Sequence, residues 1–262
     1  MRRSCLAAAV LASSLLTART VSAEAGAAAK ERPWCGPDVT TLSDHVCYVD
    51  GGPGSTGRRT LVIYLHGVLA KTPGFQYVQQ RWMAQEAKLG SFTLLMPTAP
   101  DASGYYAWPG SAKALKDQEA AILDGIKTAR ADLEKRAGAR FDETFVVGFS
   151  SGAYYASSLA TRGAIDVDGY IVLAGGGAWM KPGEQPATRA PVFVGVSAAD
   201  PSSAIHSRAF AGVLAAAHWP SRVETRNTGH GVDRAFMARG LTWLRGLTPR
   251  RSDPQQLALG GS

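Results

Sequence analysis

The stretch "ETFVVGFSSGAYYASSLA", Glu143–Ala160, changes character at a serine that stands between two glycines. Its first part, Thr144–Phe149, is rich in β-branched and aromatic residues and predicts a buried strand. Small residues that suit a helix follow Ser150. "GFSSG" therefore has the form G-x-S-x-G between a strand and a helix, which is the setting of a nucleophile elbow. Gly148 and Gly152 would let the strand and the helix pack closely around the strained serine.

A nucleophilic serine needs a base, and the base needs a carboxylate that orients it. After a nucleophile elbow, the acid and then the histidine are expected, each just beyond a later strand. Asp200 follows the apolar run "PVFVGVS" (Pro191–Ser197), and His230 follows "RVETRN" (Arg222–Asn227) between two glycines. We therefore predict that Ser150, Asp200 and His230 form a catalytic triad.

Two backbone amides are predicted to hold the oxyanion of the reaction. The first is that of Ser151, directly after the nucleophile, and the second comes from the loop after the first long strand. That strand is "RTLVIYLHG" (Arg59–Gly67), so Val68 is the first candidate and Leu69 the alternative.

The other histidines are weaker candidates for the base. His66 ends a strand that precedes the nucleophile, and we expect it to shape a loop. His206 and His218 lie on or beside a predicted helix, and His45 lies between the two later cysteines. The histidines are scattered, no carboxylate pair has ligand spacing, and there is no glycine-rich nucleotide motif. The sequence therefore predicts neither a metal site nor a cofactor.

Strand and helix patterns alternate along most of the chain. Beyond the strands already named, "FTLLMP" (Phe92–Pro97) and "GYIVLAGG" (Gly169–Gly176) are predicted strands. Apolar residues recur at helical spacing in four further segments: 77–89, 115–133, 205–214 and 236–244. Such alternation predicts an α/β fold in which a mostly parallel sheet is flanked by helices on both faces.

The N-terminus has the layout of an export signal. Two arginines precede a short apolar segment, and small residues end at Ala23, so residues 1–23 are predicted to be a signal peptide of a secreted or periplasmic protein. In an exported chain, Cys35 and Cys47 are most simply a disulfide, with two free buried thiols as the alternative. We expect residues 24–58 to be an N-terminal arm, 59–248 a catalytic domain and 249–262 a flexible tail.

Composition narrows the partners. The 262 residues suit one domain or at most two small ones, and the net charge of +7 is spread along the chain without a basic block. No apolar run reaches the length of a membrane span. We therefore expect neither nucleic-acid binding nor stable membrane association; the oligomeric state stays open.

The order of "LHG", "GFSSG", Asp200 and "GHG" resembles the α/β-hydrolase superfamily over about Thr60–Gly246. The export signal and compact size are similar to those of secreted polyhydroxybutyrate depolymerase or feruloyl esterase-like proteins, and of dienelactone hydrolase and carboxylesterase-like groups. The chain departs from the first of these, because Val68 replaces a usual cysteine and "SGAYY" replaces a run of small residues. The resemblance implies a serine esterase without cofactor. A peptidase or amidase on the same triad, or a non-catalytic binding protein of the same fold, is the alternative.

The loops predict the substrate class. Between two strands lies only "AWMKPGEQPATRA" (178–190), which is too short and too rich in breakers for a large helical cap. Tyr105, Tyr106 and Trp108 follow a strand at the catalytic end of the sheet, and Trp179 lies in the short loop. We expect these four aromatic residues to contact substrate, with packing beneath the loops as the alternative for each. Short-chain or aromatic acyl esters, small or polymer-linked, are the predicted substrates.

Overall fold

The computed structural model describes residues 33–54, 57–72, 74–177, 186 and 188–248. The predicted signal peptide, the predicted tail and Trp179 lie outside these residues. Two groups of strands and five helices make up the described part of the chain. The strands are β1 (Thr40–Ser43), β2 (Val46–Val49), β3 (Thr60–Leu65), β4 (Leu69–Ala70), β5 (Thr93–Pro97), β6 (Asp101–Ala102), β7 (Tyr105–Tyr106), β8 (Glu143–Phe149), β9 (Gly169–Leu173), β10 (Val192–Ser197) and β11 (Ser221–Arg226). The helices are α1 (Gln76–Gly90), α2 (Ala112–Ala137), α3 (Ser151–Arg162), α4 (Pro201–Ala216) and α5 (Arg234–Leu247).

Eight strands form one sheet in the order β1-β2-β5-β3-β8-β9-β10-β11. The five pairings from β5 to β11 are parallel, and the hairpin β1-β2 joins β5 antiparallel. The carboxyl ends of β3, β8, β9, β10 and β11 therefore meet at one edge, which is where an open α/β sheet binds its ligand. No helix in the described ranges is long and apolar enough to cross a membrane.

The core consists of two apolar layers, one on each face of the sheet. Successive side chains of a strand point to opposite faces, so Val146 joins one layer, and its neighbours Phe145 and Val147 join the other. Helices α2, α3 and α4 contribute to the layer with Val146, and α1 and α5 contribute to the opposite layer. Every residue of β3, β8, β9 and β10 is buried, as expected for strands covered on both faces.

The predicted order of the long strands and helices is confirmed, and two small features are additions. One is the hairpin β1-β2, which turns the predicted N-terminal arm into the edge of the main sheet. Cys47 lies in β2 and is bonded to Cys35, so the disulfide joins the chain before the hairpin to that edge. The other is a three-stranded sheet of β4, β7 and β6 at the end of the sheet that carries Ser150. Its two-residue strands are too short to leave a period in the sequence.

Glu143 anchors the opposite end of the sheet. Its carboxylate is fully buried, accepts a hydrogen bond from Thr60 Oγ1 at 2.6 Å and another from Arg245 Nε at 3.1 Å, and lies 2.6 Å from a guanidinium nitrogen of Arg58. Because Arg245 belongs to α5, this cluster joins the last helix to β3 and β8. A buried carboxylate with several partners is tolerated only where they satisfy its oxygens.

Candidate active site

Ser150 occupies a strained turn between β8 and α3. Its φ of 52° and ψ of −117° lie where a residue with a side chain is seldom found. Its backbone N–H donates to the carbonyl of Leu173 in β9 at 3.0 Å, and the N–H of Gly152 donates to the carbonyl of His66 at 3.1 Å. These bonds hold the turn against the two strands on either side of β8.

The two glycines of the G-x-S-x-G element are required by close contacts. A Cβ on Gly152 would overlap the carbonyl oxygen of Leu65, and a Cβ on Gly148 would overlap that of Gly152. The strand β8 and the helix α3 can therefore approach each other, and β3, only if both positions lack side chains.

The structure brings Ser150, His230 and Asp200 into one hydrogen-bonded chain. The Oγ of Ser150 is 3.0 Å from Nε2 of His230, and Nδ1 of His230 is 2.6 Å from Oδ2 of Asp200. They follow β8, β11 and β10, so the sheet itself aligns them. A ring whose Nδ1–H donates to a carboxylate leaves Nε2 as the acceptor for a hydroxyl proton.

Asp200 caps helix α4 and is held as a carboxylate. Ser202 Oγ donates to its Oδ1 at 2.6 Å, and Ser203 Oγ donates to its Oδ2, the oxygen that His230 contacts. These hydrogen bonds, led by that of Ser202, hold the pKa of Asp200 well below its usual range. The carboxyl group of Asp200 therefore stays ionised near neutral pH. Since an ionised carboxylate can only accept hydrogen bonds, Nδ1 of His230 must carry the proton that it donates.

The amides of Ser151 and Val68 are the predicted oxyanion donors, and they stay a prediction. The Ser151 N–H opens α3, so it has no partner one turn earlier. A Cβ added to Gly67 would be 3.2 Å from Cβ of Ser150, so the residue before Val68 lies against the serine. Neither the Ser151 nor the Val68 amide donates a hydrogen bond within the described part of the chain. Leu69, the alternative donor, lies in β4 opposite Tyr106.

For Trp108, the structure favours the alternative of packing beneath the loop over contact with substrate. Its side chain is 4% exposed, its indole N–H donates to the carbonyl of His66 at 2.9 Å, and its ring stacks on that of Tyr155. The backbone N–H of Trp108 donates to Oγ of Ser151 at 3.2 Å. Trp108 thus supports the elbow from below, because a buried indole must find an acceptor and stacking fills the remaining space.

The other aromatic residues of this loop differ in exposure. Tyr105 is half exposed, whereas Tyr106 is partly buried and lies edge-on to Trp34, with ring centroids 5.2 Å apart. Of the predicted aromatic contacts within the described residues, Tyr105 is the one that stands open to solvent.

His66 shapes the loop after β3, as predicted from its place at the strand end. Ala99 N–H donates to its Nε2 at 3.0 Å, so the proton must be on Nδ1, which lies 2.6 Å from the carbonyl of Gly67. Burial lowers the pKa of His66 from 6.5 to about 4. The neutral ring is part of the frame of the site.

A pocket of about 260 Å³ opens beside His230 and was not predicted. We call it the α1 pocket; it is lined by Tyr64, Val78, Gln79, Trp82, Phe149 and Val232, next to His230. Val78 and Trp82 are four residues apart, so they share a face of α1. In the sequence this spacing could not be distinguished from that of a face buried in the core. Within the described ranges, no group of three His, Cys, Asp or Glu side chains could hold a metal ion.

Comparison with known proteins gives matches to solved structures. The sequence matches no protein-family model, and no curated protein sequence is detectably similar. A carboxylesterase from Mesorhizobium loti superposes with a TM-score of 0.58 at 20% identity, covering 80% of this chain and 99% of that one. A Bacillus cereus carboxylesterase gives 0.56 at 16% identity, with coverages of 77% and 93%. YahD, solved with malic acid, gives 0.56 at 17% identity, with coverages of 78% and 100%.

These neighbours are matched over nearly their whole lengths. At sequence identities this low, the likeness is evidence for a shared fold only. The strand order, the helices on both faces and the serine turn after β8 agree with that likeness. The chain has the α/β-hydrolase fold.

Proposed function

We propose that this protein hydrolyses carboxylic esters through an acyl-enzyme on Ser150. The observation that supports it most is the hydrogen-bonded chain from Ser150 to His230 to Asp200, with distances of 3.0 and 2.6 Å, built on a strained turn. The likeness to solved carboxylesterases agrees with this reaction class.

Each residue has a distinct role in the proposed reaction. His230 Nε2 takes the proton of Ser150 as its oxygen attacks the ester carbonyl, and Asp200 stabilises the imidazolium that results. The amides of Ser151 and Val68 donate to the carbonyl oxygen as it becomes negative. His230 then gives its proton to the leaving alcohol. Water, activated by the same histidine, attacks the acyl-enzyme and releases the acid.

The exposure of His230 and the short β9–β10 connection support small or accessible esters as substrates. The side chain of His230 is 49% exposed, and only residues 174–191 connect β9 to β10. We propose short-chain or aromatic acyl esters, free or attached to a polymer, with Tyr105 as a surface contact. The disulfide and the signal-like N-terminus support a secreted or periplasmic location.

A panel of p-nitrophenyl esters of increasing acyl length, run beside the matching p-nitroanilides, tests the reaction class. Turnover of the esters at least 100-fold faster than that of the anilides is the expected result, since the anilide is the harder bond (a factor of about 100 is about 2.7 kcal/mol of barrier). Efficient turnover of the anilides would favour the amidase alternative. Absence of turnover of all of them, by protein that is shown to be folded, would favour a binding protein.

A further inference from the structure

The α1 pocket borders the proposed catalytic centre at His230. The ring of His230 forms part of its wall, and Phe149, the residue before the nucleophile, packs on that ring with centroids 5.1 Å apart. On the other side, Val78 stands at the rim with 74% of its surface exposed, and Trp82 lies one turn deeper on the helix. A molecule that enters here is in contact with the base itself.

The size of the α1 pocket suits one aromatic ring. Its volume is about 260 Å³, and a dry apolar cavity of roughly 150 Å³ is enough to bind benzene. The pocket can therefore hold a ring with a short substituent. It is smaller than the pockets of roughly 300–1,000 Å³ that receive drug-sized ligands, so it suits a small group rather than a whole drug-sized molecule.

The walls of the pocket favour an uncharged group. The hydroxyl of Tyr64 donates to Oε1 of Gln79 at 3.2 Å, and burial raises the pKa of Tyr64, so the phenol stays neutral. Apart from that phenol and the imidazole of His230, the lining side chains have no ionisable group. A charged group would lose its hydration here without gaining a fixed counter-ion, which is costly.

The position of His230 decides which half of the ester lies in the pocket. During acylation its Nε2 must come within hydrogen-bond reach of the leaving oxygen in order to protonate it. The substituent on that oxygen starts beside the imidazole ring, and the α1 pocket is the space that this ring borders. The acyl half, bonded to the carbon that Ser150 attacks, starts farther from this wall.

We propose that the α1 pocket binds a single aromatic ring, or an apolar group of similar size, on the alcohol side of the ester. The inference rests on the proposed ester hydrolysis and names the leaving-group class for the same site. It adds a preference for the alcohol half at helix α1 to the acyl preference proposed above.

Three esters and two matched variants test the proposal. Ethyl acetate is the reference, benzyl acetate carries the ring on the alcohol, and ethyl phenylacetate carries it on the acid. Val78→Trp narrows the rim of the pocket. Leu89→Trp makes the same kind of change at the other end of α1, where Leu89 is 69% exposed and outside the pocket.

The expected result is a ratio of kcat/KM values. In the wild type, kcat/KM for benzyl acetate should exceed kcat/KM for ethyl acetate by about 10- to 100-fold, the usual effect of one well-placed apolar group. Val78→Trp should lower that ratio at least about tenfold, and Leu89→Trp should keep it. Trp82→Phe, which enlarges the pocket, should raise turnover of 2-naphthylmethyl acetate relative to benzyl acetate.

The contradicting outcomes are distinct. Equal ratios in Val78→Trp and Leu89→Trp, with ester turnover intact, would overturn the pocket and leave the proposed function standing. A loss in Val78→Trp confined to ethyl phenylacetate would assign the pocket to the acyl half and overturn the proposal as stated. No turnover of any of the three esters by folded protein would contradict the proposed function itself.

Discussion

Replacing His66 tests whether a buried neutral histidine frames the site. Its ring accepts from Ala99 N–H through Nε2, so a second ring proton would oppose that donor in a buried space. Burial lowers its pKa from 6.5 to about 4, so the unfolded chain binds a proton more readily between these values. Stability must therefore fall as the pH drops from about 6.5 toward 4, because protons then favour the unfolded chain.

The magnitude follows from the two pKa values. Between pH 7.5 and 5.0 the linkage amounts to a loss of about 2 kcal/mol, rising to about 3 kcal/mol well below pH 4. In His66→Gln, the side-chain oxygen can accept from Ala99, but the group no longer titrates. That variant should be less stable than the wild type at neutral pH. Between pH 7.5 and 5.0, its free energy of unfolding should fall by about 2 kcal/mol less than that of the wild type.

Urea unfolding at a series of pH values measures this difference, since all other titrating groups are common to both proteins. His45→Gln is the matched control for the substitution itself, because His45 is an exposed histidine outside the frame of the site. If His66→Gln and the wild type lose the same free energy on acidification, His66 is not the buried neutral group described here.

Three further changes probe the elbow, the acid and the disulfide. Gly152→Ala should destabilise the fold by about 3 kcal/mol or more, as its Cβ would overlap the carbonyl of Leu65; an unfolding midpoint near that of the wild type would contradict the close packing. Asp200→Asn should keep the fold and lower kcat by about 10³- to 10⁴-fold, by analogy with other triads; a near-normal rate would assign the role to another carboxylate. Mass mapping without reduction should find Cys35 linked to Cys47, and reduction should cost about 3 kcal/mol; two freely alkylated thiols would contradict the bond.

The sequence was sufficient for the frame and for the candidate triad. Long apolar runs and helical spacing define elements locally, and the order of nucleophile, acid and histidine follows from the topology of a parallel sheet. Asp200 and His230 could therefore be selected without knowing any distance.

The aromatic residues could not be sorted in this way. Tyr105 and Trp108 stand three residues apart in one loop, yet one is half exposed and the other is buried against Tyr155. The difference depends on the carbonyl of His66, which accepts the indole N–H and is distant in the sequence. The α1 pocket could not be predicted from the sequence for the same reason, because Val78 and Trp82 come close to His230 only through tertiary packing.

The most direct test of the account is covalent labelling of Ser150. A fluorophosphonate probe reacts with a serine only when a base and an oxyanion site activate it, so peptide mapping of the treated protein reads out the whole arrangement. We expect the label on Ser150 alone, no label in Ser150→Ala, and wild-type labelling in Ser43→Ala, a control at an exposed serine of β1. Ester turnover by Ser150→Ala should fall by several orders of magnitude with the fold intact. Label on a different serine, or esterase activity retained by Ser150→Ala, would contradict the central claim.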